Sequence, residues 1–231
     1  MQNKKIYYPG WELKYFNRAS NFRNYQFSLI KQYIKKNVAE VGPGSGVTVQ
    51  KYINQCKHID LYEPDKKLFK HLKKKFRNKK IFIKNTVFKK NYKKYDTIIA
   101  LDVLEHIKDD KKEIKKIYTS LNKGGYLIIN VPAFNLLYSK FDKSIFHFRR
   151  YNKKMIKEKI EGLKFSKCKI FYYDSIGFIL SLISKIFFNK KFKNKFENKI
   201  KLWDVLIPIS KIIDFFVLNT FGKSLCIIIR K

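Results

Sequence analysis

The sequence predicts an α/β fold, in which an open and mostly parallel sheet carries helices on both faces. Continuous apolar runs such as 95–101 and 125–131 are typical of strands that are buried on both sides. Helical segments separate the first five runs, and strands that alternate with helices form a doubly wound sheet. We predict seven strands, near residues 37–42, 58–63, 81–86, 95–101, 125–131, 164–173 and 224–230.

A first helix is expected before the first strand. We predict that it begins with Ser20 as its N-cap and continues to Lys36. Its inward stripe would be Leu29, Ile30, Tyr33 and Ile34. The residues before it lack the apolar run of a secretory signal, so we expect the protein to stay inside the cell.

A glycine-rich turn, E-V-G-P-G-S-G, follows the first strand and opens a helix. Gly42, Gly44 and Gly46 would let a ligand approach the backbone and the free N–H groups of that helix. The dinucleotide fingerprint G-x-G-x-x-G would need glycine at Val47. Glu40 would repel a pyrophosphate but attract an ammonium and a sulfonium, and S-adenosylmethionine carries both. The alternative is a tight strand-to-helix connection without a ligand.

A second acid ends the next predicted strand. Glu63 follows the apolar run that begins at His58, and an acid at this strand tip can accept hydrogen bonds from both hydroxyls of a ribose. Alternatively, Glu63 is only a favourable charge near the start of a helix at 66–76 that Asp65 would cap.

Four motifs in order carry a family resemblance. They are E-V-G-P-G-S-G at 40–46, L-Y-E-P-D at 61–65, Y-D-T-I-I-A-L-D-V-L-E-H-I at 95–107 and L-N-K-G-G-Y-L-I-I-N-V-P at 121–132. The chain resembles the class I S-adenosylmethionine-dependent methyltransferases, and in particular the broad group that includes the ubiquinone-biosynthesis O-methyltransferases. The segment 139–151 is similar to a D…H-x-R-R-Y signature of bacterial members, and 221–231 is similar to their final strand.

This resemblance implies a Rossmann-like sheet in the order 3-2-1-4-5-7-6, with the last strand antiparallel. S-adenosylmethionine would lie at the carboxyl ends of strands one and two. The implied contacts are Glu40, Gly42, Gly44 and Gly46 for the methionine part, Glu63 for the ribose, and Asp102, Val103 and Leu104 beneath the sulfonium. Asn85 stands where members of the group often have an acid for the adenine, and its amide can hydrogen-bond an exocyclic amine.

With 231 residues, 45% of them apolar, the chain is long enough for one sizeable core, and we expect a single domain over 1–231. Its expected segments are an N-terminal helical region at 1–36, a cofactor-binding core and lid at 37–174, a helical insertion at 175–222 between the last two strands, and the final strand at 223–231.

Methyl transfer to a hydroxyl needs alignment and a base, because the sulfonium is already a strong electrophile. His147 lies in the segment expected to fold over the acceptor, and we predict it as the base, with Asp102 or His106 next. The alternative for His147 is packing that fixes the lid. For Glu105 and His106 the alternative is support of the loop after strand four.

Arg149, Arg150 and Tyr151 are the candidates for acceptor binding. Arginine forks suit a phosphate or a carboxylate, and this pair departs from the lysine bias of the chain. One of the two arginines could instead brace the lid against Asp142. We expect no metal.

The insertion is apolar and basic. An apolar segment at 175–188 precedes a run of lysines at 190–201, and a second apolar segment follows at 202–218. Neither is a convincing membrane span, because the first is short and the second contains charges and Pro208. A pair of interfacial helices joined by a cationic loop fits better, and would bind an anionic membrane surface. The alternatives are a helical cover over the acceptor pocket and a dimer surface.

The net charge of +34, from 52 Lys and Arg against 18 Asp and Glu, also suggests nucleic acid or an anionic membrane as partner. A lysine-rich composition from A/T-rich codons is a sufficient alternative explanation for much of this charge.

Taken with the family resemblance and the insertion, these features lead us to expect O-methylation of a lipid-like, quinone or lipid-linked glycan acceptor at the cytoplasmic membrane face. The alternatives are an RNA methyltransferase and a non-catalytic membrane-associated protein with a relic cofactor site. The oligomeric state stays open.

Overall fold

A seven-stranded sheet forms the centre of the protein. The computed structural model describes residues 8–90, 94–187 and 193–231. The strands are β1 Asn37–Val41, β2 His58–Tyr62, β3 Ile81–Lys84, β4 Tyr95–Leu101, β5 Leu121–Pro132, β6 Lys167–Tyr173 and β7 Ser224–Arg230. Their order across the sheet is β3-β2-β1-β4-β5-β7-β6, and β7 is antiparallel to both of its neighbours. The predicted fold class and strand order are confirmed.

Helices cover both faces of this sheet. They are α1 Leu13–Phe16, α2 Ser20–Ile30, α3 Val47–Tyr52, α4 Lys66–Lys75, α5 Asp110–Thr119, α6 Lys140–Ser144, α7 Lys153–Ile160, α8 Ser175–Phe187 and α9 Lys193–Phe216. Neighbouring residues of β4 enter different cores, since Ile98 belongs to one buried cluster and Ile99 to the other. The continuous apolar strands of the sequence therefore have the two-sided burial that was predicted.

Two predicted boundaries were wrong. Helix α2 ends at Ile30 instead of Lys36, and a 3₁₀ turn, Lys31–Tyr33, follows it. Strand β5 begins at Leu121 instead of 125, because Leu121 pairs with Tyr95 before a shift in register. Residues 121–125 thus extend the strand toward the edge where β4 begins.

The start of α2 is also stabilised differently from the prediction. Ser20 is already helical, and Ala19 occupies the N-cap position. The backbone N–H groups of Asn21 and Phe22 donate instead to the carboxylate of Asp204 in α9, at 3.3 and 2.9 Å. A carboxylate from a distant helix therefore satisfies N–H groups that a helix leaves free at its first turn.

The insertion packs on the protein through α9. Its buried side chains Phe196, Ile200, Trp203 and Ile207 join the core that contains α2. The predicted cationic loop is partly wrong, because Lys193, Lys195, Lys199 and Lys201 lie within α9; Lys190 and Lys191 fall outside the described residues. Within the described ranges, no helix is both long enough and apolar enough to cross a membrane.

Three polar residues of α9, Asp204, Ser210 and Asp214, face the protein. Asp214 is buried and accepts hydrogen bonds from the hydroxyl of Tyr25 at 2.8 Å and from the backbone N–H groups of Asp174 and Ser175 at 2.6 and 2.9 Å. Ser210 is fully buried beside them. The opposite face is apolar and open to solvent. This exposed apolar stripe, with side chains 46% to 81% exposed, consists of Ile179, Ile183, Leu202, Val205, Ile209, Ile212, Phe215, Phe216 and Leu218.

Candidate active site

A cavity of about 480 Å³ lies at the carboxyl ends of β1, β2 and β4. Parallel strands that end at one edge of a sheet bring their following loops together, and ligands of open α/β sheets bind there. Most of the predicted cofactor residues line it, namely Glu40, Gly42, Gly44, Glu63, Asp102 and Val103. Tyr8 and Leu13 from the N-terminal region line it as well, together with Phe146 and Phe148 from residues 139–151, which we call the lid.

The glycine turn has two distinct functions. Gly42 has a φ of +64°, and a Cβ atom there would lie 2.8 Å from a methyl group of Val103, so glycine lets the turn approach the loop after β4. Gly46 lies outside the cavity lining. Its φ is +72°, and a Cβ atom would lie 2.5 Å from Phe76 and 2.8 Å from Leu72. The third glycine therefore serves packing between the start of α3 and α4.

Glu40 and Glu63 are buried carboxyls at the bottom of the cavity. Burial raises the pKa of each to about 7. The hydroxyl of Tyr52 donates to Glu40 at 2.5 Å, and the backbone N–H groups of Gly44 and Asp65 donate to Glu63 at 3.1 and 3.0 Å. These donors fix the carboxyls in place and favour their charged forms without cancelling the cost of burial.

Asp102 is held in a strained backbone conformation at the end of β4. Its φ is +57°, which is uncommon outside glycine and occurs often at functional sites. The amide of Asn130 donates to Asp102 Oδ1 at 2.7 Å. The hydroxyl of Tyr173 donates to Asn130 Oδ1 at 2.9 Å, and the amide of Gln26 donates to that hydroxyl at 3.1 Å. A chain of hydrogen bonds, buried at Gln26, Tyr173 and Asn130, therefore runs from α2 through β6 and β5 to the exposed Asp102.

Leu104 and Asn85 lie outside the cavity lining. Leu104 is fully buried in the core. The amide of Asn85 donates to the backbone carbonyls of Glu63 and Pro64 at 2.9 and 3.1 Å, so it holds the loop after β2. Val87 and Phe88 line the cavity beyond β3 instead. The sequence analysis missed this pair, although its apolar character in a polar stretch was a visible signal.

A smaller cavity of about 110 Å³ adjoins the first one and contains the predicted catalytic residues. Asp102 and His106 line both cavities, whereas Glu105 and His147 line only the smaller one. The ring of His147 lies edge-on to that of His106, with centroids 4.7 Å apart. The fold thus brings the three candidate bases, Asp102, His106 and His147, to one place.

Asp142 orients His147. Its Oδ1 lies 2.9 Å from His147 Nδ1, and it also accepts hydrogen bonds from Arg150 at 2.9 and 3.1 Å. Burial would raise the pKa of Asp142, but the hydrogen bond with His147 and the charge of Arg150 outweigh it and lower that pKa to about 2. Because an ionised carboxylate only accepts, His147 must carry its proton on Nδ1, and Nε2 is the free basic nitrogen.

The pKa values of two neighbouring groups are shifted toward their neutral forms. Burial, and then the charge of His147, lower the pKa of His106 to about 4. Burial, and then the charge of Asp102, raise the pKa of Glu105 well above its usual range. Both carboxyl oxygens of Glu105 lack a hydrogen-bond partner among the described residues, and Oε1 lies 3.8 Å from His147 Nε2. One side-chain nitrogen or oxygen atom from each of Glu105, His106 and His147 lies within 4.8 Å of the other two. Such a cluster could hold a cation.

The three predicted acceptor residues separate in the structure. Arg150 lines the smaller cavity and braces Asp142. Arg149 donates to Asp110 Oδ2 at 2.6 Å, and the buried hydroxyl of Tyr151 donates to the same oxygen at 2.8 Å. Arg149 and Tyr151 therefore hold α5 against the lid and line neither of the two cavities.

The strand order and the cavity with its two carboxyls define a class I methyltransferase that uses S-adenosylmethionine. The residues present fit this cofactor, because buried carboxyls face space that an ammonium and a ribose can occupy, and a Cβ at Gly44 would meet only Leu13, which lines the same cavity. Residues 13–174 match a family model described as a methyltransferase domain. The chain belongs to this family, and it is an enzyme.

Solved structures share the fold at low sequence identity. An S-adenosylmethionine-dependent methyltransferase from Archaeoglobus fulgidus is 16% identical, with a TM-score of 0.62 over 96% of this chain and 98% of that one. Phosphoethanolamine N-methyltransferase 2 from Haemonchus contortus, solved with S-adenosylmethionine, is 14% identical, with a TM-score of 0.62 over 95% of this chain but only 57% of that one. The N-methyltransferase NodS from Bradyrhizobium japonicum, with S-adenosylhomocysteine, is 14% identical at a TM-score of 0.58, over 96% and 91%. No curated protein sequence matches the chain.

Proposed function

We propose that this methyltransferase methylates an oxygen of a lipid-like, quinone or lipid-linked glycan acceptor, and that it binds the cytoplasmic face of a membrane through its insertion. The observation that carries this proposal is the orientation of α9. Its acids Asp204 and Asp214 bind the protein, and a second set of apolar residues, beside those that join the core, faces solvent. Ordinary amphipathic helices of globular proteins show the opposite arrangement.

Charge favours a bilayer over another apolar surface. Lys201 and Lys211 are exposed on α9 beside the exposed apolar stripe, and the chain carries a net charge of +34. An apolar helix face bordered by lysines inserts into the headgroup region of anionic bilayers, and each lysine near the surface adds ~1 kcal/mol. A second copy of this chain would place like charges against each other.

His147 is the base in the proposed reaction. When bound, S-adenosylmethionine supplies an electrophilic methyl group on its sulfonium. His147 Nε2 would remove the proton of the acceptor hydroxyl as the oxygen forms its bond to the methyl carbon, and the methyl–sulfur bond would break with its electron pair going to the sulfur. Ionised Asp142 stabilises the resulting imidazolium through Nδ1, and Arg150 holds Asp142 in position.

The test is radiolabelled methyl transfer into a host-cell lysate, followed by separation into organic, nucleic-acid, protein and aqueous glycan fractions. We expect label in the organic fraction with the wild-type protein, and a loss of ~10²–10⁴-fold with His147→Ala. His71→Ala is the matched control, because His71 is exposed on α4. Nuclease-sensitive label would overturn the proposal in favour of RNA. Hydrolysis of the product then distinguishes methyl on oxygen from methyl on nitrogen, the atom named in two of the structural neighbours.

Membrane binding is tested separately with vesicles of phosphatidylglycerol and phosphatidylcholine. Val205 and Ile212 are 67% and 59% exposed, so Val205→Glu with Ile212→Glu should abolish sedimentation with the vesicles without affecting the core. Phe82→Glu is the control, since Phe82 is 47% exposed on the edge strand β3. If the double variant sediments with the vesicles as the wild type does, the membrane assignment is contradicted. It is also contradicted if the wild type does not bind vesicles and the double variant changes from a dimer to a monomer.

A further inference from the structure

A third cavity, of about 370 Å³, lies beneath the insertion. Its walls come from α6, α8 and the first half of α9, and its volume falls within the ~300–1,000 Å³ range of small-molecule sites. Apolar side chains dominate its lining, among them Leu137, Phe141, Leu180, Ile183, Phe196 and Ile200. Its shape and chemistry suit a hydrocarbon chain.

The outer end of this cavity opens at the exposed apolar stripe. Ile183 and Leu202 line the cavity and are also 46% and 56% exposed. Lys185 and Lys199 stand at the same end, and Lys199 Nζ donates to Ser184 at 3.2 Å. A chain in this cavity would therefore continue directly into the surface that we assign to the bilayer.

The inner end adjoins the reaction site. Phe16, Phe141, Arg150, Trp203 and Lys223 line both this cavity and the smaller one that contains His147. The three cavities thus follow one another from the exposed apolar stripe, past His147, to the cofactor residues. A molecule that enters at the membrane reaches the base with its other end.

Lys223 lies at the junction without an anionic partner. Its Nζ stands 3.9 Å from the ring centroid of Trp203, and no acid or hydrogen-bond acceptor binds it among residues 8–90, 94–187 and 193–231. The two nearest acids are engaged elsewhere. Asp142 binds Arg150 and His147, and Asp174 accepts from Trp203 Nε1 at 2.9 Å.

An ammonium in this position is costly unless it meets an anion. Burial lowers the pKa of Lys223, the charge of Arg150 lowers it further, and the charge of Asp174 opposes both. Lys223 is half-buried, and a cation that is partly withdrawn from water without a pairing anion disfavours the folded state. Its free hydrogen-bond donors face the shared wall of the two cavities, where a ligand group can accept them.

We propose that the third cavity binds a hydrocarbon chain of the acceptor, and that Lys223 binds an acidic group close to the methylated oxygen. This inference rests on the proposed function and narrows it. The acceptor is an anionic amphiphile with a carboxylate or a phosphate near its reactive hydroxyl, and a neutral quinone does not satisfy Lys223.

The test compares probes with the same chain and different charge. Decanoate and 1-decanol are titrated into the full chain below the concentrations at which they aggregate, and decyl phosphate is added as a second anion. Emission from Trp203 reports binding in a Trp11→Phe background, which leaves Trp203 as the only tryptophan. We expect the better anion to bind ~10–100-fold more tightly than 1-decanol, as expected for a hydrogen bond to a charged group. The better of the two anions identifies the acidic group.

Three variants separate the parts of the proposal. Lys223→Met should lower the affinity for the anion to that for 1-decanol, and Lys223→Arg should preserve the preference for the anion over 1-decanol. Ser181→Phe fills the cavity and should weaken all probes. Lys112→Met is the matched control, since Lys112 is exposed on α5. Affinity for S-adenosylhomocysteine, measured on every variant, shows that the fold is intact.

Failure of this inference differs from failure of the proposed function. Equal binding of decanoate and decyl phosphate by wild type and Lys223→Met would overturn the assignment of Lys223. Undiminished probe binding by Ser181→Phe would overturn the assignment of the cavity. The proposed function fails instead when the wild-type protein places no label in the organic fraction, whatever the probes show.

Discussion

His147 Nδ1 lies 2.9 Å from Asp142 Oδ1, and both residues belong to the short lid segment. The lid therefore carries both the proposed base, His147, and the group that orients it. The sheet contributes only the floor on which they meet the cofactor residues. Asp142 is fully buried, and it binds Arg150 as well as His147.

Asp142→Asn should lower the rate of methyl transfer by at least ~10²-fold, because an amide can donate to Nδ1 and so favours the wrong tautomer of His147. Asp110→Asn is the matched control, since Asp110 also forms an ion pair with an arginine, Arg149, but orients no histidine. Both variants should lose stability, and only the first should lose most of its turnover. Equal turnover in the two variants would show that Asp142 serves the fold alone.

The Asp142 carboxyl also makes stability depend on acid. Its pKa is lower in the folded protein, at about 2, than in the unfolded chain. The contribution of this carboxyl to folding stability is therefore complete above its pKa in the unfolded chain, and it is lost as the pH falls toward about 2. Urea titrations of wild type and Asp142→Asn at decreasing pH should converge at the acid end.

Binding of S-adenosylhomocysteine should strengthen as the pH rises through about 7. The pKa of Glu40 is raised to about 7, so in the ligand-free protein its contribution to stability is complete below pH 4.5 and is lost as the pH rises through about 7. The ligand's ammonium reverses this preference, because it stabilises the carboxylate. Each carboxyl that loses its proton on binding makes affinity rise up to about tenfold per pH unit below its pKa.

Calorimetry at about pH 6, in buffers of different ionisation enthalpy, counts the protons that are released in this reaction. Glu40→Gln should remove part of the release and flatten the pH dependence. Glu158→Gln on α7 should leave both unchanged, since it lies outside the cofactor cavity. An affinity independent of pH in the wild type would contradict a role for Glu40 toward a cationic ligand.

Tyr173→Phe should lower the free energy of unfolding by ~1–3 kcal/mol, because it leaves Asn130 Oδ1 buried without its donor. It should also weaken methyl transfer, since Asn130 positions Asp102. Tyr126→Phe is the control, because the Tyr126 hydroxyl makes no hydrogen bond within the described residues. Urea denaturation gives the first quantity, and the labelled assay gives the second. A Tyr173→Phe protein as stable and active as Tyr126→Phe would rule out this network.

Gly46→Ala should destabilise the protein more than Gly162→Ala does. Both positions have a positive φ, at +72° and +79°, and so carry a similar backbone penalty for alanine. Only at Gly46 does the new Cβ meet side chains, whereas at Gly162 it meets nothing within 4 Å. We expect a difference of ~1–3 kcal/mol in urea denaturation. A smaller cost at Gly46 would mean that Phe76 moves aside freely.

Local patterns predicted the sheet and several of the residues that line the candidate cofactor cavity. Apolar runs that lie on adjacent parallel strands place their following loops at one edge, so Glu40 and Glu63 meet there for reasons visible in sequence. Asn85 follows β3 in the same way, but its amide is used by the carbonyl of Glu63. The position could be predicted, and the direction of the side chain could not.

Directions across the sheet account for the other differences. Arg149 and Arg150 are neighbours in sequence, yet one binds Asp110 and the other binds Asp142. Successive residues of an extended segment point to opposite sides, so a pair of arginines cannot serve one site together. Likewise, a helical pattern alone does not show which side of α9 meets the protein. Asp214 shows it, through its bonds to the backbone of residues 174 and 175.

The hydrogen bond between Tyr25 and Asp214 joins positions that are 189 residues apart. Helix α2 precedes its partner α9 in the chain, so the aromatic face with Phe22 and Tyr25 has no cover until α9 has been synthesised. Contacts over such a separation form slowly, and an uncovered apolar face is prone to aggregation meanwhile. Strand β7, which lies between β5 and β6, also follows α9, so this cover and the complete sheet form late and together.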